Sequence, residues 1–171
     1  MPVEGRQAED LGTGAQGTPV NLRGENFNFA PVSVQFGDRT AEIDGAPTAT
    51  LIKAKVPTGF TAQSRVKIKI TTAGGAVVNT SDFIAIPPPI FRTFGPGRGA
   101  QGTPVNLRGE NFNLAPISVQ FSDRTAEIEG EPTATLIKAK VPTGFTARVK
   151  IKITTAGAAV VSTSDFIVTA P

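Results

Sequence analysis

The sequence contains no cysteine, histidine, tryptophan or tyrosine. The absence of cysteine excludes disulfides, thiolate chemistry and cysteine-bound metals. Without histidine, a hydroxyl nucleophile lacks its commonest partner base, and no lysine or carboxylate stands beside a serine in a nucleophile-elbow pattern. Sugar-binding surfaces usually present tryptophan or tyrosine, whereas the aromatic residues here are 11 phenylalanines. We therefore expect a protein that is not an enzyme and that uses no cofactor and no metal.

Long apolar runs are also missing from the chain. Met1 is not followed by a charged segment and an apolar stretch, so the sequence predicts neither a signal peptide nor a membrane span. Because both ends resemble cuts through an array of repeats, we expect a segment of a longer exported protein, located outside the cell or on its surface. A cytoplasmic or virion-borne protein is the alternative.

One stretch, GTPVNLRGENF, occurs twice without change, at 17–27 and at 102–112. Around these two copies, 62 of 71 aligned positions are identical. The duplication predicts two domains of about 85 residues, a size at which the core is small and each buried ring matters. We expect a polar tail over 1–11, a first domain over 12–86 and a second domain over 87–171.

The repeated stretch has the pattern of a strand followed by a turn. Val20 and Leu22 alternate with polar residues, Gly24-Glu25-Asn26 has turn composition, and Phe27 returns a ring to the core. The order G-T-x-V-x-L-x-G-x-N-F, V-x-F-G, A-K-V-P, an alternating strand, T-A-G-G and D-F-I resembles the IPT/TIG family of immunoglobulin-like domains. The resemblance implies an all-β chain of two tandem immunoglobulin-like antiparallel β-sandwiches, each of seven strands or so. Domains of this family serve several kinds of protein, so the resemblance implies no single role.

The two copies differ most at their beginnings. Copy 2 starts with Pro88–Pro96, which resembles the family's first strand, P-x-I-x-x-F-x-P, and we expect Ile90 and Phe94 to anchor it in the core. The aligned residues of copy 1 are Gly5 and Glu9. The first strand of domain 1 is therefore predicted to be degenerate, domain 1 to be the less stable, and its neighbouring strand to be open to strand addition. The alternative is a tail that pairs despite its composition.

Basic residues alternate along two segments of each repeat, and we consider them for polyanion binding. They are Lys53, Lys55, Arg65, Lys67 and Lys69, with Lys138, Lys140, Arg148, Lys150 and Lys152 in copy 2. With a net charge of +3, they suggest an anionic polysaccharide as a partner. The competing interpretation is a solvated outer face that discourages edge pairing, partly neutralised by Asp38, Glu42 and Asp82. Nucleic acid is disfavoured because no aromatic is interleaved for base stacking.

Five apolar residues are candidates for a contact with another domain or subunit: Phe60, Phe145, Ile90, Phe91 and Phe94. Phe60 and Phe145 follow a V-P-T-G turn, where a ring either caps the end of the sandwich or, if exposed, anchors a partner.

These observations predict a non-catalytic structural or adhesion segment, a stalk or fibre element of an extracellular bacterial or virion protein. It would work through domain stacking and strand-edge contacts, with other copies of itself or further repeats as partners. The alternative is an accessory module that binds an anionic glycan or another polyanion through its basic strand faces.

Overall fold

The computed structural model describes residues 12–144 and 146–170. Over these residues the chain is all β, without a helix, and it divides into two compact units between Pro87 and Pro88. Each unit is an immunoglobulin-like sandwich, which confirms the predicted fold class. The described ranges offer no helix with the length and apolar character that crossing a membrane requires. The predicted tail and the predicted degenerate first strand lie outside the described residues.

Unit 1 is built from short strands in three sheets. The strands are β1 (Thr13–Ala15), β2 (Pro19–Arg23), β3 (Ser33–Phe36), β4 (Arg39–Thr40), β5 (Leu51–Lys55), β6 (Ser64–Val66), β7 (Ile68–Thr72), β8 (Gly75–Val78) and β9 (Phe83–Ile86). They pair in the orders β1-β9-β6, β2-β5 and β4-β3-β7-β8. The pairs are antiparallel except that β1 runs parallel to β9. Phe36 and Phe83 are fully buried, and their rings meet edge to face at 5.1 Å.

Within the described residues, unit 2 repeats this plan and has one additional strand at its start. Its strands are β10 (Ile90–Gly95), β11 (Arg98–Ala100), β12 (Pro104–Glu110), β13 (Ser118–Phe121), β14 (Arg124–Thr125), β15 (Leu136–Lys140), β16 (Arg148–Val149), β17 (Ile151–Thr154), β18 (Ala159–Val161) and β19 (Phe166–Thr169). They pair in the orders β11-β19-β16, β10-β12-β15 and β14-β13-β17-β18. The pair β11 and β19 is parallel.

The glycine of the turn makes room for a core ring. Asn26 takes the left-handed backbone conformation, at φ 61°, and turns the chain so that Phe27 is buried. A Cβ on Gly24 would lie 2.3 Å from Cζ of Phe27, so a side chain there would collide with the ring. Asn111 and Phe112 repeat this arrangement in unit 2.

Strand β12 is longer than β2 although the two segments are identical in sequence. In unit 2, Gly109 pairs with Phe91 and Glu110 with Ile90, so β10 extends the ladder by two residues. Strand β2 pairs with β5 and has no partner on its other edge within the described residues. A strand's length here is therefore set by its neighbour, since the local sequence does not change.

The rings that anchor β10 are Phe91 and Phe94, and the prediction that Ile90 is a core anchor was wrong. Ile90 is 39 % exposed, whereas both rings pack against the core. The register of β10 on β12 shifts between Phe91 and Thr93, which is a β-bulge. Residues 91 and 94 would face opposite sides of a regular strand, but the extra residue brings both rings to the same face.

Two segments of unit 1 are each divided into two strands, and the two interruptions lie opposite each other. Residues 65–71 divide at Lys67 into β6 and β7, and residues 77–84 divide into β8 and β9. The break is held by Asn79, whose Oδ1 accepts from Ile68 N at 2.6 Å while its own N donates to Ile68 O at 3.0 Å. The Asn79 side chain thus accepts a backbone hydrogen bond that a carbonyl of a neighbouring strand would otherwise accept. Because the regular pairing is interrupted at this point, β6 and β7 can pair with different strands.

Candidate functional site

The predicted basic residues alternate as expected, but four of the ten are engaged by carboxylates of their own unit. At the end of β5, Lys55 Nζ lies 2.6 Å from Glu42 Oε1, and Lys140 lies 2.7 Å from Glu127 in unit 2. The hydrogen bond that Lys55 donates to Glu42, followed by the charge of Glu42, raises the pKa of Lys55 above the ordinary lysine value of 10.5. Glu127 raises the pKa of Lys140 in the same way.

Lys67 in unit 1 and Lys150 in unit 2 each contact a loop of their own unit. Lys67 Nζ lies 3.1 Å from Asp82 Oδ1 and also donates to the carbonyl of Thr80. In unit 2, Lys150 contacts Asp165 at 2.9 Å and donates to the carbonyl of Thr163. Each lysine thus links its own strand segment to the loop that precedes the last strand of its unit.

The other six basic residues have no carboxylate at ion-pair distance in the described parts of the chain: Lys53, Arg65, Lys69, Lys138, Arg148 and Lys152. In unit 1 they lie on β5, β6 and β7, which belong to three different sheets. The strands therefore do not gather them into a single stripe, and of the predicted neutralising carboxylates Glu42 and Asp82 do lie beside lysines.

The residues predicted to contact another domain or subunit differ in how exposed they are. Phe60 is buried in the core at 8 % exposure, with the Arg39 guanidinium 5.0 Å from its ring centroid, so it caps the sandwich and is not an exposed anchor. Phe145 lies outside the described residues. Ile90 is exposed, while Phe91 and Phe94 form part of the wall of a cleft of about 260 Å³ beside Asp165.

Each unit carries an open cleft that the sequence analysis missed, here called the arginine–lysine cleft. It measures about 420 Å³ in unit 1 and about 470 Å³ in unit 2. Its polar lining is Arg39, Thr40, Glu42, Lys55 and Thr58 in unit 1, and Arg124, Thr125, Glu127, Lys140 and Thr143 in unit 2. Arg39 is 16 residues from Lys55 in sequence. The bridge between Ile43 and Ala54 and the backbone hydrogen bond from Lys55 N to Glu42 O bring the two segments together.

The outer strands β8 and β18 present uncharged edges. Among the strands of residues 12–144 and 146–170, β8 pairs with β7 alone and β18 with β17 alone. Val77 and Val78 are 46 % and 50 % exposed, and Val161, which aligns with Val78, is 49 % exposed. At the opposite edge of each four-stranded sheet lies a strand of two residues that begins with an arginine.

No three acidic side chains among the described residues form a group that could hold a metal ion.

The sandwiches and their surfaces define a tandem immunoglobulin-like β-protein. The chain belongs to the IPT/TIG family, because the model of the IPT/TIG domain matches residues 11–84 and again residues 89–168. This confirms the predicted resemblance and the two tandem copies. No curated protein matches the sequence.

Solved structures resemble the fold at low sequence identity. The plexin A4 full extracellular region matches 98 % of this chain and 15 % of its own length, at 16 % identity and a TM-score of 0.51. The surface glycan-binding protein PbSGBP-B of Prevotella bryantii matches 97 % of this chain and 42 % of its own, at 16 % identity and a TM-score of 0.46. A third, SGBP-B from a xyloglucan utilization locus of Bacteroides uniformis, matches 96 % and 48 %, at 15 % identity and a TM-score of 0.43. This chain spans less than half the length of each, and the plexin likeness supports the fold alone.

Proposed function

We propose that this tandem pair is a non-catalytic structural or adhesion segment of an extracellular or cell-surface protein, acting as a stalk or fibre element through strand-edge contacts. The observation that supports it is the uncharged outer strand of each unit, β8 and β18. Natural edge strands are usually blunted by short length, charge, proline or a bulge. Strands β8 and β18 contain none of the charged residues or prolines that would do this.

The edge strands are short, and their length limits the affinity of a single strand pairing. Strand β8 has four residues and β18 has three, so one edge can add only a few backbone hydrogen bonds, each contributing a net 0.5 to 1.5 kcal/mol or so. A single pairing of this kind is weak. Repeating it along a chain makes later contacts intramolecular, which raises the total affinity without new chemistry.

Sedimentation velocity over a range of concentrations tests the proposal. We expect the wild-type chain to associate increasingly with concentration and the variant V78K/V161K to stay monomeric, because charge on an edge strand opposes pairing. The control V78T/V161T keeps a β-branched residue without charge and should still associate. A wild-type chain that remains monomeric at its highest soluble concentration would refute this mode of action.

A second candidate function is binding of an anionic glycan or another polyanion. Its support is the set of six basic side chains that lack a carboxylate partner in the described residues, together with a net charge of +3. Retention on immobilised heparin at rising salt tests it. Contacts made through charge alone weaken steeply with salt, so retention beyond about 0.3 M would indicate a shaped site.

A further inference from the structure

The arginine–lysine cleft places two cations of each unit around a polar opening. In unit 1, Nη1 of Arg39 donates to Thr58 O at 3.3 Å, and the guanidinium lies against the Phe60 ring. In unit 2, Nη1 of Arg124 donates to Thr143 O, also at 3.3 Å. A guanidinium has five N–H donors in a planar fork. The carbonyl and the ring fix the direction of Arg39, so less side-chain entropy is lost when it binds an anion.

Lys55 provides the second cation and Glu42 the only carboxylate in the lining of the unit 1 cleft. The lining of each cleft thus carries two cationic side chains and one carboxylate, with the charge of Asp44 also acting on Lys55 and that of Glu129 on Lys140. The hydroxyls of Thr40 and Thr58 line the same opening, and they can donate to an oxygen of a ligand or accept from its hydroxyls. A carboxylate or a sulfate can accept two parallel hydrogen bonds from a guanidinium, and sugar hydroxyls can form hydrogen bonds with threonine and glutamate side chains.

We propose that each arginine–lysine cleft binds an acidic group, a carboxylate or a sulfate, of an acidic polysaccharide. This inference rests on the second candidate function and locates its site. Both clefts have the same lining residues, so both offer the same groups. A polymer that carries one acidic group many times can use two equal sites on one chain, which increases its total affinity. A small molecule would gain nothing from the duplication.

Two pairs of substitutions separate the cleft from general positive charge. The variant R39Q/R124Q removes two cations from the clefts, and the control R23Q/R108Q removes two exposed cations from β2 and β12, outside them. Calorimetric titration with polygalacturonate and with dextran sulfate, and with neutral dextran as a blank, gives Kd at about 0.15 M salt, where charges more than roughly 8 Å away are largely screened. The two polymers distinguish a carboxylate from a sulfate ligand.

We expect R39Q/R124Q to raise Kd by about tenfold or more, since hydrogen bonds to charged groups are the stronger ones. The control should raise Kd by no more than about threefold. A third variant, E42Q/E127Q, changes exposed side chains and releases Lys55 and Lys140 from their carboxylates. It should bind several-fold more tightly, and it tests the cleft even if the arginine variant does not fold.

Equal losses in R39Q/R124Q and R23Q/R108Q would overturn the cleft and leave general polyanion binding in place. Absence of binding to both acidic polymers would overturn both. Self-association of the arginine variant, measured without polysaccharide, should match that of the wild type, so failure here is distinguishable from failure of the strand-edge proposal.

Discussion

Substituting Gly109 by alanine should destabilise unit 2 more than the same change at Gly24 destabilises unit 1. The two glycines occupy one position of an identical segment. A Cβ on Gly109 would lie 1.8 Å from the carbonyl oxygen of Ile90 and 2.5 Å from Cζ of Phe112. At Gly24 the three nearest atoms all belong to the Phe27 ring, the closest at 2.3 Å. The backbone of β10 makes the difference, because a side-chain ring can shift more cheaply than a paired strand.

The magnitude follows from what β10 loses. To accept the new Cβ, the strand has to move by roughly 1 Å, which breaks about two ladder hydrogen bonds worth 0.5 to 1.5 kcal/mol each. Part of the burial of Phe91 is lost as well, which costs about 1 kcal/mol. Gly109→Ala should therefore lower the free energy of unfolding of unit 2 by about 2 to 4 kcal/mol. Gly24→Ala should cost about 1 to 2 kcal/mol, the range of a modest overpacking.

Differential scanning calorimetry is the suitable assay, because the chain has no tryptophan or tyrosine to report unfolding by fluorescence. Two transitions are expected, the lower from unit 1, since residues 1–11 lack the apolar anchors of β10. One kcal/mol shifts the Tm of a domain of this size by about 4 to 8 °C, so Gly109→Ala should lower the upper transition by about 10 °C or more. Equal shifts of the two transitions by the two variants would refute the assignment of the effect to β10.

Three further predictions use the same chain. Ile90→Ala should cost unit 2 less than about 1 kcal/mol and Phe91→Ala about 2 to 4 kcal/mol by calorimetry, because Ile90 is exposed; the reverse order would contradict the bulge. Ser122 has a left-handed φ of 58° where unit 1 has glycine, so Ser122→Gly should raise the Tm of unit 2 with a gain of about 1 kcal/mol; an unchanged Tm would argue against strain. Glu42→Gln should lower the pKa of Lys55 in an NMR titration of its Nζ. The folded-state pKa lies above 10.5, so the stability from this pair is present below pH 10.5 and is lost as the pH rises through the raised value.

The features that the sequence predicted depend on local chemistry. Asparagine tolerates the left-handed region and the turn returns an apolar ring, so Asn26 and Phe27 could be placed from their neighbours alone. The alternation of lysine and alanine in β5 likewise gave its buried and exposed faces. The family resemblance then supplied the order of strands, which no single segment determines.

The features that the sequence did not predict depend on pairing between distant segments. The alternation rule assumes a regular strand, so it could not foresee the bulge after Phe91, which exists only against β12. The break at Lys67 required Asn79 to reach across from the next strand. Arg39 was overlooked because its partner carbonyl, Thr58 O, lies 19 residues away. The number and spacing of basic residues also did not predict that Lys67 contacts Thr80 and Asp82 in the loop before β9.

The two proposals share one physical requirement, which is that weak sites gain strength by repetition. A three- or four-residue edge and a single open cleft each bind weakly when alone, whereas equal copies on one chain act at a high effective concentration. Near-identical neighbouring domains also carry a cost, since they can exchange strands while partly folded. Divergence would relieve that cost but would make the paired sites unequal. The unchanged lining of both clefts and the matching uncharged edges are what a requirement for equal sites would preserve.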